Sequence, residues 1–297
     1  TLQQRLNLFT IKSDTKFYLK HKAAYTTHQR VFYDNDSTSS YYSNFYIDPV
    51  SSIDSVFTNN LSNKGSFGIA FKTFDFNLFG QYDQKHYLQS YGLDTSYFNN
   101  YIGTNSKYSN EYLNLELEGR YGVSGYRTND IDVELKFQLD KKIFNIDGRL
   151  GYFYNQADLK FTNYIANHYQ WNNSTLDKET LLSLDIGFKL KKQAIEFKVS
   201  SKRLKNTLYY DSLAIATQDS GQVSFSSFLL AKDYQLWNFH FRTSIIYQIT
   251  SDSLLFPIPE FIGRQVLFYQ KQIFKGAMKF QCGVSLSYNT NYYGYNY

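Results

Sequence analysis

The chain of 297 residues has one cysteine, one methionine and three prolines, and nowhere a long unbroken apolar run. Cys282 alone excludes a disulfide framework and any cysteine-built metal cluster. The missing apolar runs exclude a helical membrane protein, since a spanning helix needs about 20 consecutive, mostly apolar residues. The longest comparable stretch, Leu254 to Ile262, is interrupted by Pro257, Pro259 and Glu260. Charge of one sign is also scarce. The net charge of +5 comes from scattered Lys and Arg, without the dense basic block of a nucleic-acid binder, so no nucleic-acid partner is expected. Thr1 to Arg5 shows no basic region leading into an apolar core, so the sequence reads as cytosolic or as a mature or trimmed chain.

Aromatic side chains, in contrast, are abundant: 29 Tyr, 26 Phe and two Trp make up 19% of the residues. That excess is incompatible with disorder. Yet the mean hydropathy is −0.47, because polar residues dilute the apolar ones at almost every second position. The dilution is periodic. In Ile131 to Leu139, Ile131, Val133, Leu135, Phe137 and Leu139 share one face of an extended chain, and Asp132, Glu134, Lys136 and Gln138 share the other. The same alternation runs through 113–118, 144–154, 182–190, 195–199, 237–249 and 278–289. Several runs reach the 9–11 or so residues that a tilted membrane strand needs, beyond the roughly 5–6 of an ordinary globular strand.

The polar faces decide between a soluble β-sandwich and a membrane barrel. Mid-strand they carry Glu116, Glu118, Asp132, Glu134, Asp147, Asp185 and Glu196 against Arg120, Lys136, Arg149, Lys189, Lys198, Arg242 and Lys279. This near balance of acids and bases, set among Gly, Ser and Asn, suits a wet, crowded lumen better than an open solvent surface. The opposite faces are rich in Leu, Phe, Ile and Val, with Tyr152, Tyr154, Tyr209, Tyr210, Trp237 and Tyr288 near their ends, as interfacial girdles require. The pattern predicts an all-β fold: a transmembrane antiparallel up-and-down β-barrel of about 12–14 strands, forming one domain over residues 1–297. Long connections are expected at 34–65, 89–110, 155–178, 205–221 and 250–263, opposite a rim of tight turns. Between 111 and 155 two short connections follow in succession, which signals a strand missed or merged near Glu118–Arg127.

Several stretches, taken in order, resemble the putative porins of Bacteroidota: Tyr25 to Asp34, Asn167 to Asn173, Tyr209-Tyr210-Asp211, Leu254 to Pro257, Phe274 to Val284, and Tyr288 to Tyr293. The resemblance spans nearly the whole chain. It implies an integral place in the outer membrane of a Gram-negative cell and a pore, without naming a solute. Within that family the barrel usually continues past such a tyrosine-rich stretch, so the chain either stops short at Tyr297 or closes with a strand through Tyr293, Tyr295 and Tyr297.

Two functions are carried forward. One is passive diffusion of small hydrophilic solutes through a charge-balanced lumen. The other is a plugged accessory barrel in a larger outer-membrane complex. Expected partners are outer-membrane lipid together with further copies of the chain or other outer-membrane proteins; no cofactor or metal is expected. Leu254, Leu255, Phe256, Pro257, Ile258 and Pro259 form an apolar piece of a long connection, a candidate for narrowing the pore or for docking a partner. Catalysis finds little support: His21, His28, His86, His168 and His240 lack metal-ligand spacing, and His240 is about 13 Å from Ser244 on an extended strand. The triplets Asp54-Ser55-Val56, Asp211-Ser212-Leu213 and Asp252-Ser253-Leu254 resemble an O-glycan acceptor motif, although Asp and Ser are common in loops.

Overall fold

The computed structural model describes residues 1–11, 14–35, 42 and 44–294. Alternation becomes strand throughout. Strands β1 (Leu2–Ile11), β2 (Thr15–Asp34), β3 (Ser52–Phe71), β4 (Phe74–Gln89), β5 (Asp94–Ser109), β6 (Leu113–Gly125), β7 (Ile131–Asp140) and β8 (Phe144–Asn155) form a meander. An insertion then carries a one-turn helix α1 (Leu159–Thr162) and a miniature hairpin, β9 (Asn163–Ile165) and β10 (Gln170–Asn172). The meander resumes with β11 (Glu179–Leu190), β12 (Ile195–Tyr210), β13 (Ala216–Leu236), β14 (Phe239–Thr250), β15 (Phe261–Ile273) and β16 (Met278–Asn289). All except β9 and β10 belong to one 14-stranded sheet in chain order; β8 pairs directly with β11, and β1 and β16 are its edges.

The connections sort by rim. On one rim β3–β4, β7–β8 and β13–β14 are joined by two or three residues, with Lys72 and Trp237 in the left-handed region that tight hairpins need. The other rim carries the long connection 35–51, the insertion 156–178 and 251–260, beside short turns at 90–93 and 126–130. Three of the expected long connections are therefore wholly or partly taken up by strand: β3 begins at Ser52, β5 fills 94–109, and β12 and β13 meet through a short turn at 211–215. The missing strand is β5, not one near Glu118–Arg127, and restoring it places every connection on the correct rim. It escaped the periodicity because Asn99, Asn100, Asn105 and Ser106 make both faces polar. At about 3.3 Å per residue, the 20-residue β2 and β3 run well past a hydrocarbon layer of about 30 Å, and beyond it alternation is no longer required.

One face of the sheet is apolar and uncovered: Leu78, Ile102, Leu150, Leu182, Leu230 and Val284 are all 43–69% exposed. An apolar surface of that extent has no place in water and marks contact with lipid. The other face is polar and turned inward. Large rings there lie across glycines of the next strand: Tyr18 is paired with Gly68 and Phe79 with Gly103, where an added Cβ would collide with the ring. Among the described residues no helix is long and apolar enough to cross a membrane; the crossing elements are strands.

Candidate functional site

The inward face and the insertion folded onto it form the candidate site. Residues 156–174 leave β8 but do not remain above it. Asn167 donates its backbone N–H to Asp54 Oδ1 on β3 (2.9 Å), and Gln89 at the end of β4 exchanges hydrogen bonds with Asn163 O (2.9 Å) and Ile165 N (3.0 Å). On the other side, Phe161 and Trp171 pack on Tyr210 of β12, and Asn173 Nδ2 donates to Ala216 O of β13 (2.8 Å). One short segment thus touches strands on both flanks of β8, which requires the sheet to curl around it.

Its anchors are buried. Asn167, 1% exposed, accepts the N–H groups of Ile47 and Asp48 on Oδ1 and donates to Ser52 Oγ (2.7 Å). His168, 4% exposed, stacks on Tyr42 at 3.7 Å between ring centroids. Its Nδ1 faces the Asn44 carbonyl (2.9 Å) and must donate, and its Nε2 shares a hydrogen bond with the Ser52 hydroxyl (2.7 Å). This Ser–His contact is a clasp: Ser52 is only 3% exposed and its oxygen already accepts from Asn167. At the insertion's root, Asp130 (2% exposed side chain) takes Arg127 (3.2 Å), Lys178 (2.5 Å) and the N–H of Gln156 (3.0 Å), and Arg127 also reaches Asp158 (2.5 Å). Burial opposes the Arg127 charge, yet Asp158 and Asp130 hold its guanidinium above the ordinary pKa. Burial likewise raises Tyr126 and Tyr164 at this rim, keeping both phenols neutral.

Between the insertion and the inner faces of β2–β5 lies a cavity of about 980 Å³, lined by Arg30, Thr58, Asn60, Lys85, Tyr87, Tyr97, Tyr164, Trp171 and Tyr210. Tyr210, expected at an interfacial girdle, instead lines this cavity, on an even-numbered position of β12 like inward Glu196 and Lys198, where its ring packs on Phe161 and Trp171 of the insertion.

The pairing register puts the fourteen charged residues singled out from the sequence on the same inward face. Arg120 pairs with Asp132; Glu134 takes both Lys136 (2.6 Å) and Arg149 (3.2 Å); Lys198 meets Glu196 (2.5 Å) and Arg242 meets Asp233 (3.6 Å). Asp185 accepts the Ser200 hydroxyl (2.5 Å), and Glu118 meets Lys64 (3.9 Å). Glu116, Asp147, Lys189 and Lys279 share the face without an ion pair among the described residues. Cations of this face also rest on rings: Arg5 on Tyr18 (3.8 Å), Lys64 on Phe79 (3.4 Å), Arg120 on Tyr101 (4.5 Å) and Arg242 on Phe268 (5.4 Å).

Leu254, Leu255, Phe256, Pro257, Ile258 and Pro259 lie in the β14–β15 connection: Leu254 is 88% exposed, Leu255 is buried and the others are half-buried. Asp252 Oδ1 accepts the N–H groups of Leu254 and Leu255, and Asp211 Oδ1 those of Leu213 and Ile215, so both Asp-Ser-Leu triplets shape turns. Asp54-Ser55-Val56 lies within β3. Tyr293 follows β16 outside any strand, and Tyr295 and Tyr297 lie outside the described residues. Residues 156–174 fold onto the inward face, and the sequence signal within them was the run Asn167 to Asn173.

A meandering antiparallel sheet, apolar outside and charged inside, curled around an inserted loop, defines an outer-membrane β-barrel protein. The chain belongs to the family described as "putative porin", whose model matches residues 1–297. It is an integral outer-membrane β-barrel of the Gram-negative type. Among solved structures it is similar to the copper transporter OprC (TM-score 0.61, 11% identity, 91% of this chain and 50% of that one). It is similar also to the siderophore receptor PirA from Pseudomonas aeruginosa (0.58, 8%, 97% and 62%) and to the FrpB iron transporter from Neisseria meningitidis (0.57, 9%, 91% and 49%). At these identities the likeness is one of fold, and the chain spans less than two thirds of the length of each. No curated protein sequence matches it.

Proposed function

We propose that this barrel lets small hydrophilic solutes diffuse passively across the outer membrane, without catalysis. The supporting observation is the inward face: acids, bases, Ser, Asn and Gly recur along strands whose other side is apolar and exposed. Such a wall replaces part of a solute's hydration as it passes, and the insertion 156–174 narrows one mouth. In planar-bilayer recording the full-length protein should give stepwise conductance, larger when 158–173 is replaced by a short Gly-Ser linker. A folded protein that conducts nothing would overturn this reading.

The ion pairs and the insertion also favour a second reading, a scaffold whose lumen is plugged and whose loops, with exposed Leu254, meet other envelope proteins. Purification in mild detergent separates the two readings. A pore emerges alone or with further copies of itself, whereas a scaffold brings stoichiometric partners that Leu254→Asp removes.

A further inference from the structure

Cations on the inward face are not evenly spread. Arg5 on β1 stands directly opposite Lys20 on β2, and Lys22 stands directly opposite Lys64 on β3. Lys20 and Lys22 are consecutive inward positions, about 6.6 Å apart at 3.3 Å per residue. Two like-charged cross-strand pairs therefore adjoin one another. Like charges placed opposite each other destabilise a sheet, so this arrangement works against the fold that carries it.

Relief is slight. Lys64 lies 3.9 Å from Glu118, and Arg5 rests on the Tyr18 ring. Lys20 and Lys22 have no carboxylate within ion-pair distance among the described residues. The same wall continues toward the mouth. Lys85 on β4 and Arg30 on β2 line the cavity under the insertion, again without an ion pair among the described residues. The Asp54 and Asp158 carboxylates beside them are engaged, by the Asn167 N–H and by Arg127. Asp83, two positions from Lys85 on the same face of β4, accepts from Gln81 Nε2 (2.9 Å), and Asp75 accepts from the Tyr18 hydroxyl; these carboxylates offset the wall's charge only in part, since Arg5, Lys20, Lys22, Lys64, Arg30 and Lys85 outnumber them.

We propose that Arg5, Lys20, Lys22 and Lys64 form an anion-binding step on the conduction path, entered past Arg30 and Lys85, and that the solutes this barrel favours are small anions bearing carboxylate or phosphate groups. The inference rests on the channel reading above. A dense cationic patch on a narrow, low-dielectric wall concentrates anions and delays cations, and rings of Arg and Lys select anions in other pores.

The experiment is planar-bilayer recording of the full-length protein in a KCl gradient, followed by titration with inorganic phosphate. The wild-type protein should pass chloride over potassium by a factor of about 3 or more, and millimolar phosphate should reduce the chloride current. The double reversal Lys20→Glu/Lys22→Glu should bring the ratio below one and abolish the phosphate effect. Lys20→Gln/Lys22→Gln, the gentler change, should give an intermediate ratio and serves where the reversal does not fold. Glu134→Gln, on the ion-paired wall, should leave selectivity for anions in place. A conducting wild-type protein that prefers potassium, or whose preference ignores both double variants, overturns the inference alone. A folded protein without conductance overturns the channel reading and the inference with it.

Discussion

Two walls of one sheet treat charge in opposite ways. Across β6–β8, the like-charged cross-strand pairs Glu118–Glu134 and Lys136–Arg149 adjoin one another with opposite sign, and both are relieved: Glu134 takes Lys136 and Arg149, and Glu118 meets Lys64. Across β1–β3, Arg5 opposes Lys20 and Lys22 opposes Lys64, and among the described residues Glu118 alone comes within ion-pair distance of any of these four. The first wall uses charge to hold strands together. The second keeps charge available at some cost to the sheet, as expected where a face meets a passing solute.

Four substitutions test this contrast. The largest effect belongs to Asp130, whose buried carboxylate joins the root of the insertion to the β6–β7 turn through Arg127, Lys178 and the Gln156 N–H. Asp130→Ala leaves Lys178 without its carboxylate and Arg127 with Asp158 alone, and should cost about 3–5 kcal/mol. Hydrogen exchange should then rise across 156–174, and the unfolding midpoint in detergent should fall. Glu134→Gln removes a partner from Lys136 and Arg149 in a half-exposed setting and should cost about 1 kcal/mol, read from the guanidinium midpoint at constant slope. Lys22→Gln makes the same kind of change on the other wall and should have the opposite sign, a gain of about 0.2–1 kcal/mol from relieved repulsion. A loss of stability there would break the comparison. The smallest effect is expected at Asp233→Asn: the pair with Arg242 is 3.6 Å apart and about 60% exposed on both sides, so the midpoint should move by less than about 0.5 kcal/mol.

Much of the sheet was legible because lipid on one side and water on the other enforce a period of two, as in Ile131 to Leu139 of β7 and Leu182 to Leu190 of β11. Legibility failed where that constraint lapses. The Asn- and Ser-rich β5, and the parts of β3, β12 and β13 that project beyond the hydrocarbon, can be polar on both faces and read as loops. Leu254 to Pro259 drew notice by being apolar, yet the segment that folds inward, 156–174, is held largely by hydrogen bonds from Asn163, Asn167, His168 and Asn173, which leave no hydrophobic trace.

The sequence by itself determined the compartment and the class of fold. Tyrosine and phenylalanine in such number, alternating with polar residues over membrane-length runs, admit few arrangements other than strands with one face to lipid and one to water. Tertiary structure decided which charges meet. Lys22 and Lys64 are distant in the chain and become neighbours through the β2–β3 register, where a slip of one residue would turn either side chain to lipid. Periodicity says that a residue faces inward; only strand pairing says what stands beside it, and that neighbour determines whether a charge braces the wall or is left for a solute.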